Sequence, residues 1–301
     1  MNTTSRFLLA FLLSMGAATV KPATRLMASP AEGPLGQPAQ RATLKPAAAK
    51  APDIPFEAYD FQTEEQLLAL ANQSRRQAGA PPLTIDAGLS QAARIHAQAM
   101  REARRLSHQL DGEPSLPQRL AATTQLQLEQ EGENVALDYD AEHGHQHLML
   151  SPPHRANLLN PAYNVVGLGV VRNGDRLYIV QDFGSTLPKF SPAEVKAHVA
   201  AAVNQTRRHG RRAELQRRDW LGADDAACSM AQADKLGTAP VRKLAESFNV
   251  FTYTSLHPET LPRGAAPVVT GRNLRSFSVA ACYGRTNTYP TGVYWVVLSL
   301  D

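Results

Sequence analysis

Apolar residues recur at three- and four-residue spacing from Leu67 through Leu70, Ala71 and Ala78. They follow Thr63-Glu64-Glu65-Gln66, which fits a capping box with acids in the first turn. Gly79 and Pro81-Pro82 end that helix. Asp86 is a good N-cap for a second one, with Leu89, Ala93, His96, Met100 and Ala103 on one face. His96 is therefore expected on the packed side, as a core histidine with a backbone partner, with ligand duty as the alternative reading. A short helical piece surrounds Pro117 to Leu120. Ser151-Pro152-Pro153 opens a helix that runs to Leu159 and stops at Asn160-Pro161. The period then changes to that of strands: Val165 to Val171, an Asn173-Gly174 turn, and Leu177 to Val180 as the partner. A second hairpin is expected from Phe277–Cys282 and Val293–Leu298. Helices first and a hairpin late predict a layered α+β fold.

Ahead of this pattern, Met1 to Ser5 is polar, Arg6 is charged, and Phe7 to Leu13 is apolar before small residues at 16–18. This is the layout of a signal peptide over residues 1–20, predicting a secreted or periplasmic protein. A buried first helix is the alternative, and Lys21-Pro22 argues against it. The uncharged stretch Phe7 to Val20 has 14 residues, short of the roughly 18–20 that span a bilayer. No transmembrane segment is expected in the mature chain. Residues 21–55 are rich in Pro and Ala and read as an extended linker.

The chain has 301 residues, 43% hydrophobic and 19% charged, with a net charge of +4. That excludes a disordered chain and fits one large or two small domains. Its two cysteines include no C-x-x-C, which removes thioredoxin-type and zinc-ribbon sites. The Asn-x-Ser/Thr sites at Asn72 and Asn204 fall inside expected helices, poor places for a glycan.

Several separated motifs occur in a telling order: Ala71-Asn72-Gln73-x-Arg75, Leu83-x-x-Asp86, Ser107-His108, Gly132-Glu133-Asn134, Ser151-Pro152-x-His154-Arg155-x-Asn157-Leu158-Leu159, Gly167-Leu168-Gly169-Val170 and Gln181-Asp182-Phe183-Gly184. Together they resemble the CAP superfamily (the SCP/TAPS, cysteine-rich secretory and pathogenesis-related-1 group) in its cysteine-poor bacterial form. The resemblance covers roughly 60–187 and implies an α-β-α sandwich at 56–188. It also implies a cleft holding two histidines, matching His108 and His154, and a glutamate, matching Glu133. Two imidazoles and a carboxylate can hold zinc or another divalent cation and leave a position open to water. The alternative is that His154 and Glu133 satisfy backbone groups near element ends. The chain departs from the eukaryotic pattern: Leu148-Met149-Leu150-Ser151 lacks the second cleft glutamate, and leucine replaces the usual aromatic at 148. Glu142 is the nearest acid.

His143 and His147 are four apart, so a helix would place both on one face at a chelating spacing; a solvated polar turn or helix face is the ordinary reading. Gly167-Leu168-Gly169-Val170-Val171-Arg172 lacks the third glycine of a dinucleotide fingerprint, so no nucleotide is expected.

Residues 189–301 form a second, smaller α+β unit. Val203-Asn204-Gln205-Thr206-Arg207 parallels Ala71-Asn72-Gln73-Ser74-Arg75 at a shift of 132, which also sets Leu215 on Leu83 and Cys228 on His96. Phe248-Asn249-Val250-Phe251 echoes Glu133-Asn134-Val135-Ala136. A degenerate CAP-like repeat that has lost the site is one reading; an unrelated α+β domain is the other. On the repeat reading, Cys228 lies on the buried face of a helix and Cys282 on a hairpin strand. Export then permits a Cys228–Cys282 disulfide, with two buried thiols as the alternative. The arginines between Arg207 and Arg218 would suit an anionic envelope polymer, or simply a solvated loop.

The expected function is an extracellular binding module for a lipid, glycan or peptide. A metal-assisted hydrolase with Glu133 as general base is the second reading. A structural envelope protein is the third.

Overall fold

A computed structural model describes residues 59–220 and 222–301; the expected signal peptide and linker lie outside the described residues. The first lobe runs α1 (Phe61–Ala78), β1 (Thr84–Ile85), α2 (Ala87–Ala103), α3 (Leu116–Thr123), β2 (Gln127–Asp138), α4 (Ala141–Leu150), α5 (Pro152–Leu159), β3 (Val165–Asn173) and β4 (Arg176–Leu187). The cap of α1 is not Thr63. Asp60 precedes the helix and accepts the Thr63 N–H at 3.0 Å, so the helix starts earlier than the capping-box reading placed it. Asp86 caps α2 as expected, accepting from Leu89 N at 2.8 Å.

The four strands pair in the order β1-β3-β4-β2, with β1 parallel to β3 and the other pairs antiparallel. Alternation along β3 sorts its side chains between two layers. Val166, Leu168 and Val170 join Leu67, Leu148 and Leu158, beneath α1, α4 and α5. Val171 joins Ala93, Ala97 and Met100 of α2, with Val135, Tyr178 and Val180. The result is helix, sheet and helix, the sandwich that the resemblance implied.

Gly167 and Gly169 face α2 for a steric reason. A Cβ on Gly167 would lie 2.0 Å from the Leu89 carbonyl carbon, and one on Gly169 would lie 2.3 Å from that of Ala93. The backbone of α2 rests directly on β3, which only glycine permits. Gly174, at φ 66°, makes the predicted turn between β3 and β4.

The second lobe runs α6 (Pro192–His209), β5 (Gln216–Arg217), α7 (Ala223–Gln232), α8 (Arg242–Ala245), β6 (Asn249–Ser255), α9 (Ala265–Val269), β7 (Ser276–Gly284) and β8 (Val293–Leu300). Its sheet has the order β5-β7-β8-β6, with the same parallel edge pair and the same antiparallel pairs as the first. Detailed contacts recur too. Asn72 bonds both backbone groups of Leu83, at 3.0 and 2.7 Å, and Asn204 does the same to Leu215 at 3.2 and 2.9 Å. Arg75 is buried and donates to the carbonyls of Pro81, Leu158, Asn160 and Tyr163. Arg207, equally buried, donates to those of Ala213, Val269 and Gly271.

Three expectations about this lobe need correction. Arg207 is withdrawn from the basic surface because its guanidinium closes loop carbonyls. The Phe248–Phe251 echo is offset: Val250 pairs with Ser299 as Glu133 pairs with Asp182, which sets Asn249-Val250-Phe251 against Gly132-Glu133-Asn134. Cys228 is half-buried on α7 rather than fully packed. It is nonetheless disulfide-bonded to Cys282 of β7.

Candidate functional site

Strand β2 forms an edge of its sheet, and at its middle Gly132-Glu133-Asn134 distributes three tasks. Gly132 lets Tyr163 close in, since a Cβ there would meet its hydroxyl at 2.5 Å. Glu133 turns toward the α2 and α3 side. Asn134 turns to the opposite face, where its amide donates to the His154 carbonyl at 3.1 Å and to Gln181 Oε1 at 3.2 Å. Asn157 of α5 completes the clamp, donating to the Glu133 carbonyl at 3.1 Å and Asn134 Oδ1 at 3.0 Å. Two consecutive side chains thus fix both walls of the edge.

The Glu133 carboxylate is buried and fully engaged. Its Oε1 meets His108 Nδ1 at 2.9 Å, and its Oε2 accepts from the Arg119 guanidinium. His96 Nε2 lies 3.7 Å from the same oxygen. Arg119 is supplied by α3, itself started by a Ser115–Gln118 capping box, and it also donates to the His108 carbonyl at 3.1 Å. The guanidinium thereby sets the loop that presents His108. His96 has the backbone partner expected of it, Ser107 O at 2.9 Å, and a second in Glu113 at 2.7 Å.

His108 is exposed and His154 half-buried, with ring centroids 6.4 Å apart across the strand edge. His154 Nδ1 shares a hydrogen bond of 2.9 Å with Ser151 Oγ. Burial and, secondarily, the charge of His108 lower its pKa, so it is neutral near pH 7. Among the described residues, neither Nε2 has a hydrogen-bond partner, so each is available to a ligand.

The sequence reading missed Arg119, Glu113 and Asp182. Asp182 pairs across the strands with Glu133 and is wholly buried, and neither of its oxygens receives a donor. Burial, then the Glu133 charge, push its carboxyl well above the usual carboxylate range. Burial beside a second carboxylate thus favours the protonated form of Asp182. Its sequence signals were its place in the Gln181-Asp182-Phe183-Gly184 motif and an acid directly after the apolar run Leu177–Val180 and Gln181.

Among the described residues no group of three or more His, Cys, Asp and Glu side chains is placed to hold a metal ion. Glu133 lies on the Nδ1 side of His108, and Arg119 holds its second oxygen. The carboxylate cannot join an ion bound at the two Nε2 atoms. Zinc would find two imidazoles here, not the two imidazoles and carboxylate that the resemblance implied. Glu142, the nearest acid before His154 by sequence, is exposed in the first turn of α4.

Residues 68–183 match the family model described as CAP, cysteine-rich secretory protein family. Protein YkwD of Bacillus subtilis is 32% identical over 112 residues, which are 37% of this chain and 43% of that protein. The chain therefore spans less than half of that relative's length. An extracellular protein containing a SCP domain from Bacillus anthracis is 27% identical in structural alignment, covering 42% of this chain and 41% of that one, with a TM-score of 0.38. Na-ASP-1 aligns over 82% of this chain and 91% of its own, at 8% identity and a TM-score of 0.48. The motif order, the glycine-seated helix and the Gly-Glu-Asn strand agree with the family match. Over residues 68–183 the chain is similar to the CAP family of cysteine-rich secretory proteins.

Proposed function

We propose that this protein is an exported binding module whose first lobe recognises a polar ligand, a glycan or peptide, at the β2 edge. His108 and His154 contact the ligand, and Glu133 is the internal counter-charge that orients His108. The observation that carries this reading is the full engagement of Glu133. A carboxylate held by a guanidinium at one oxygen and an imidazole at the other is a poor general base, because proton uptake would break a buried ion pair. This disfavours the hydrolase reading, and two partly exposed imidazoles suit hydrogen bonding to hydroxyl or amide groups better than burial of a lipid chain. The disulfide supports export, since such bonds persist in oxidising compartments.

The second lobe is a degenerate copy of the first. The 132-residue repetition of the Asn72–Leu83 and Arg75–Pro81 contacts supports this, as does the common strand order. Val250 and Ser299 stand where Glu133 and Asp182 stand, so the copy carries no site. Arg211, Arg217 and Arg218 remain exposed on it and Arg212 is half-buried; an anionic envelope polymer is the partner they suit.

Capture on arrays of glycans, peptides and lipids tests the module. Wild type should retain a glycan or peptide that His108→Ala/His154→Ala releases; equal capture by both would refute the cleft assignment. Zinc titration of the same pair tests the two-imidazole cation reading, which fails if both bind equally.

A further inference from the structure

The helix α4 carries a second histidine pair that shares no side chain with the β2 cleft. His143 and His147 are one turn apart, on one face, with ring centroids separated by 6.5 Å. Both side chains are exposed, at 59% and 62%. Each Nδ1 is held by a carboxylate: His143 by Asp140 at 2.8 Å, His147 by Asp138 at 2.6 Å. A carboxylate on Nδ1 fixes the proton there and leaves the Nε2 lone pair outward, the arrangement that orients histidine ligands on metals.

Neither carboxylate is a chance surface neighbour. Asp138 is 4% exposed at the end of β2, and its other oxygen accepts the Tyr139 N–H at 3.1 Å. Asp140 is the N-cap of α4, accepting the His143 N–H at 2.8 Å. The residues that end the strand and start the helix also aim the two rings. His145, between them, turns inward to Ser74 Oγ at 2.8 Å and takes no part.

We propose that His143 and His147 bind one late first-row divalent cation, such as Cu²⁺ or Zn²⁺, through their Nε2 atoms. Asp140 and Asp138 orient the rings, and water completes the coordination sphere. Imidazole donors suit these ions rather than Mg²⁺ or Ca²⁺. Ligand distances of about 2.1 Å require the rings to close by about 1 Å, which exposed side chains allow.

Cu²⁺ binding by the full chain, followed by electron paramagnetic resonance and by titration calorimetry, tests this. One equivalent should bind with two-nitrogen hyperfine structure. His143→Ala and His147→Ala should each weaken it at least about tenfold, and Asp138→Asn severalfold, as orienting partners do. His108→Ala/His154→Ala should leave this site intact. Both alanine changes fall on exposed rings, so folding is preserved. Absence of binding, or equal binding by wild type and His143→Ala/His147→Ala, would overturn the proposal. So would binding abolished by His108→Ala/His154→Ala alone.

Discussion

Arg285, which follows β7 in the second lobe, donates to the carbonyl of Thr124 at 3.0 Å, just beyond the end of α3. It also donates to the Ala121 carbonyl inside that helix. The last carbonyls of a helix lack intrahelical partners, and a cation there complements the dipole as well. Because α3 carries Arg119, the second lobe supports the site of the first. Arg285→Ala should lower stability by about 1.5–3 kcal/mol, the range for hydrogen bonds to charged groups. It should also broaden the His108 ring resonances. Chemical denaturation with no change in midpoint would remove this role.

Arg119 and Glu133 form a buried ion pair, 5% and 3% exposed at their side chains. Arg119→Met should destabilise by about 3–5 kcal/mol, because it strands a buried carboxylate. Adding Glu133→Gln should recover part of that loss, since the two changes share one interaction. Strict additivity in the double-mutant cycle would contradict the coupling.

Asp182 links stability to pH. Its folded pKa lies above the unfolded value of about 3.9. Below that value both states hold the proton, and the contribution is fully present. As pH rises, the unfolded chain releases its proton first, so stability falls by up to about 1.4 kcal/mol per unit until the folded value is passed. Asp182→Asn should flatten that slope. Parallel stability–pH curves for the two proteins would show that Asp182 is ionised in the fold.

The Cys228–Cys282 bond spans a sequence separation of 54 residues. In the chain-entropy model such a loop stabilises by about 4 kcal/mol. Cys228→Ala/Cys282→Ala should lose that amount, with first-lobe contacts such as Asn72–Leu83 retained. Hydrogen exchange that showed both lobes loosening equally would instead make the fold one cooperative unit.

At Gly167 a methyl group has nowhere to go, since the obstacle is the backbone of α2 and not a flexible side chain. Gly167→Ala should therefore cost more than the usual overpacking of about 1–3 kcal/mol. A thermal midpoint equal to wild type would mean that α2 can lift away from β3.

The periodicities of 67–78, 89–103 and 165–180 were legible because each element buries one stripe or face, and burial leaves a repeat in the residues themselves. Asp86, Ser151 and Asn173-Gly174 marked boundaries because caps and turns draw on local chemistry. Strand β2 was harder to see: Glu129, Glu131, Glu133 and Asn134 interrupt its apolar alternation, since an edge that carries a site must hold polar groups. The sequence alone determined the CAP resemblance, most of the helices and both late hairpins, and His108, Glu133 and His154 as residues worth watching. Only the tertiary structure decided that Arg119 and His108 claim Glu133, that Asp182 is buried beside it, and that Arg207 is buried. Those outcomes depend on which side chains meet across long sequence separations, and on how far water is excluded where they meet. Neither quantity is written in local spacing.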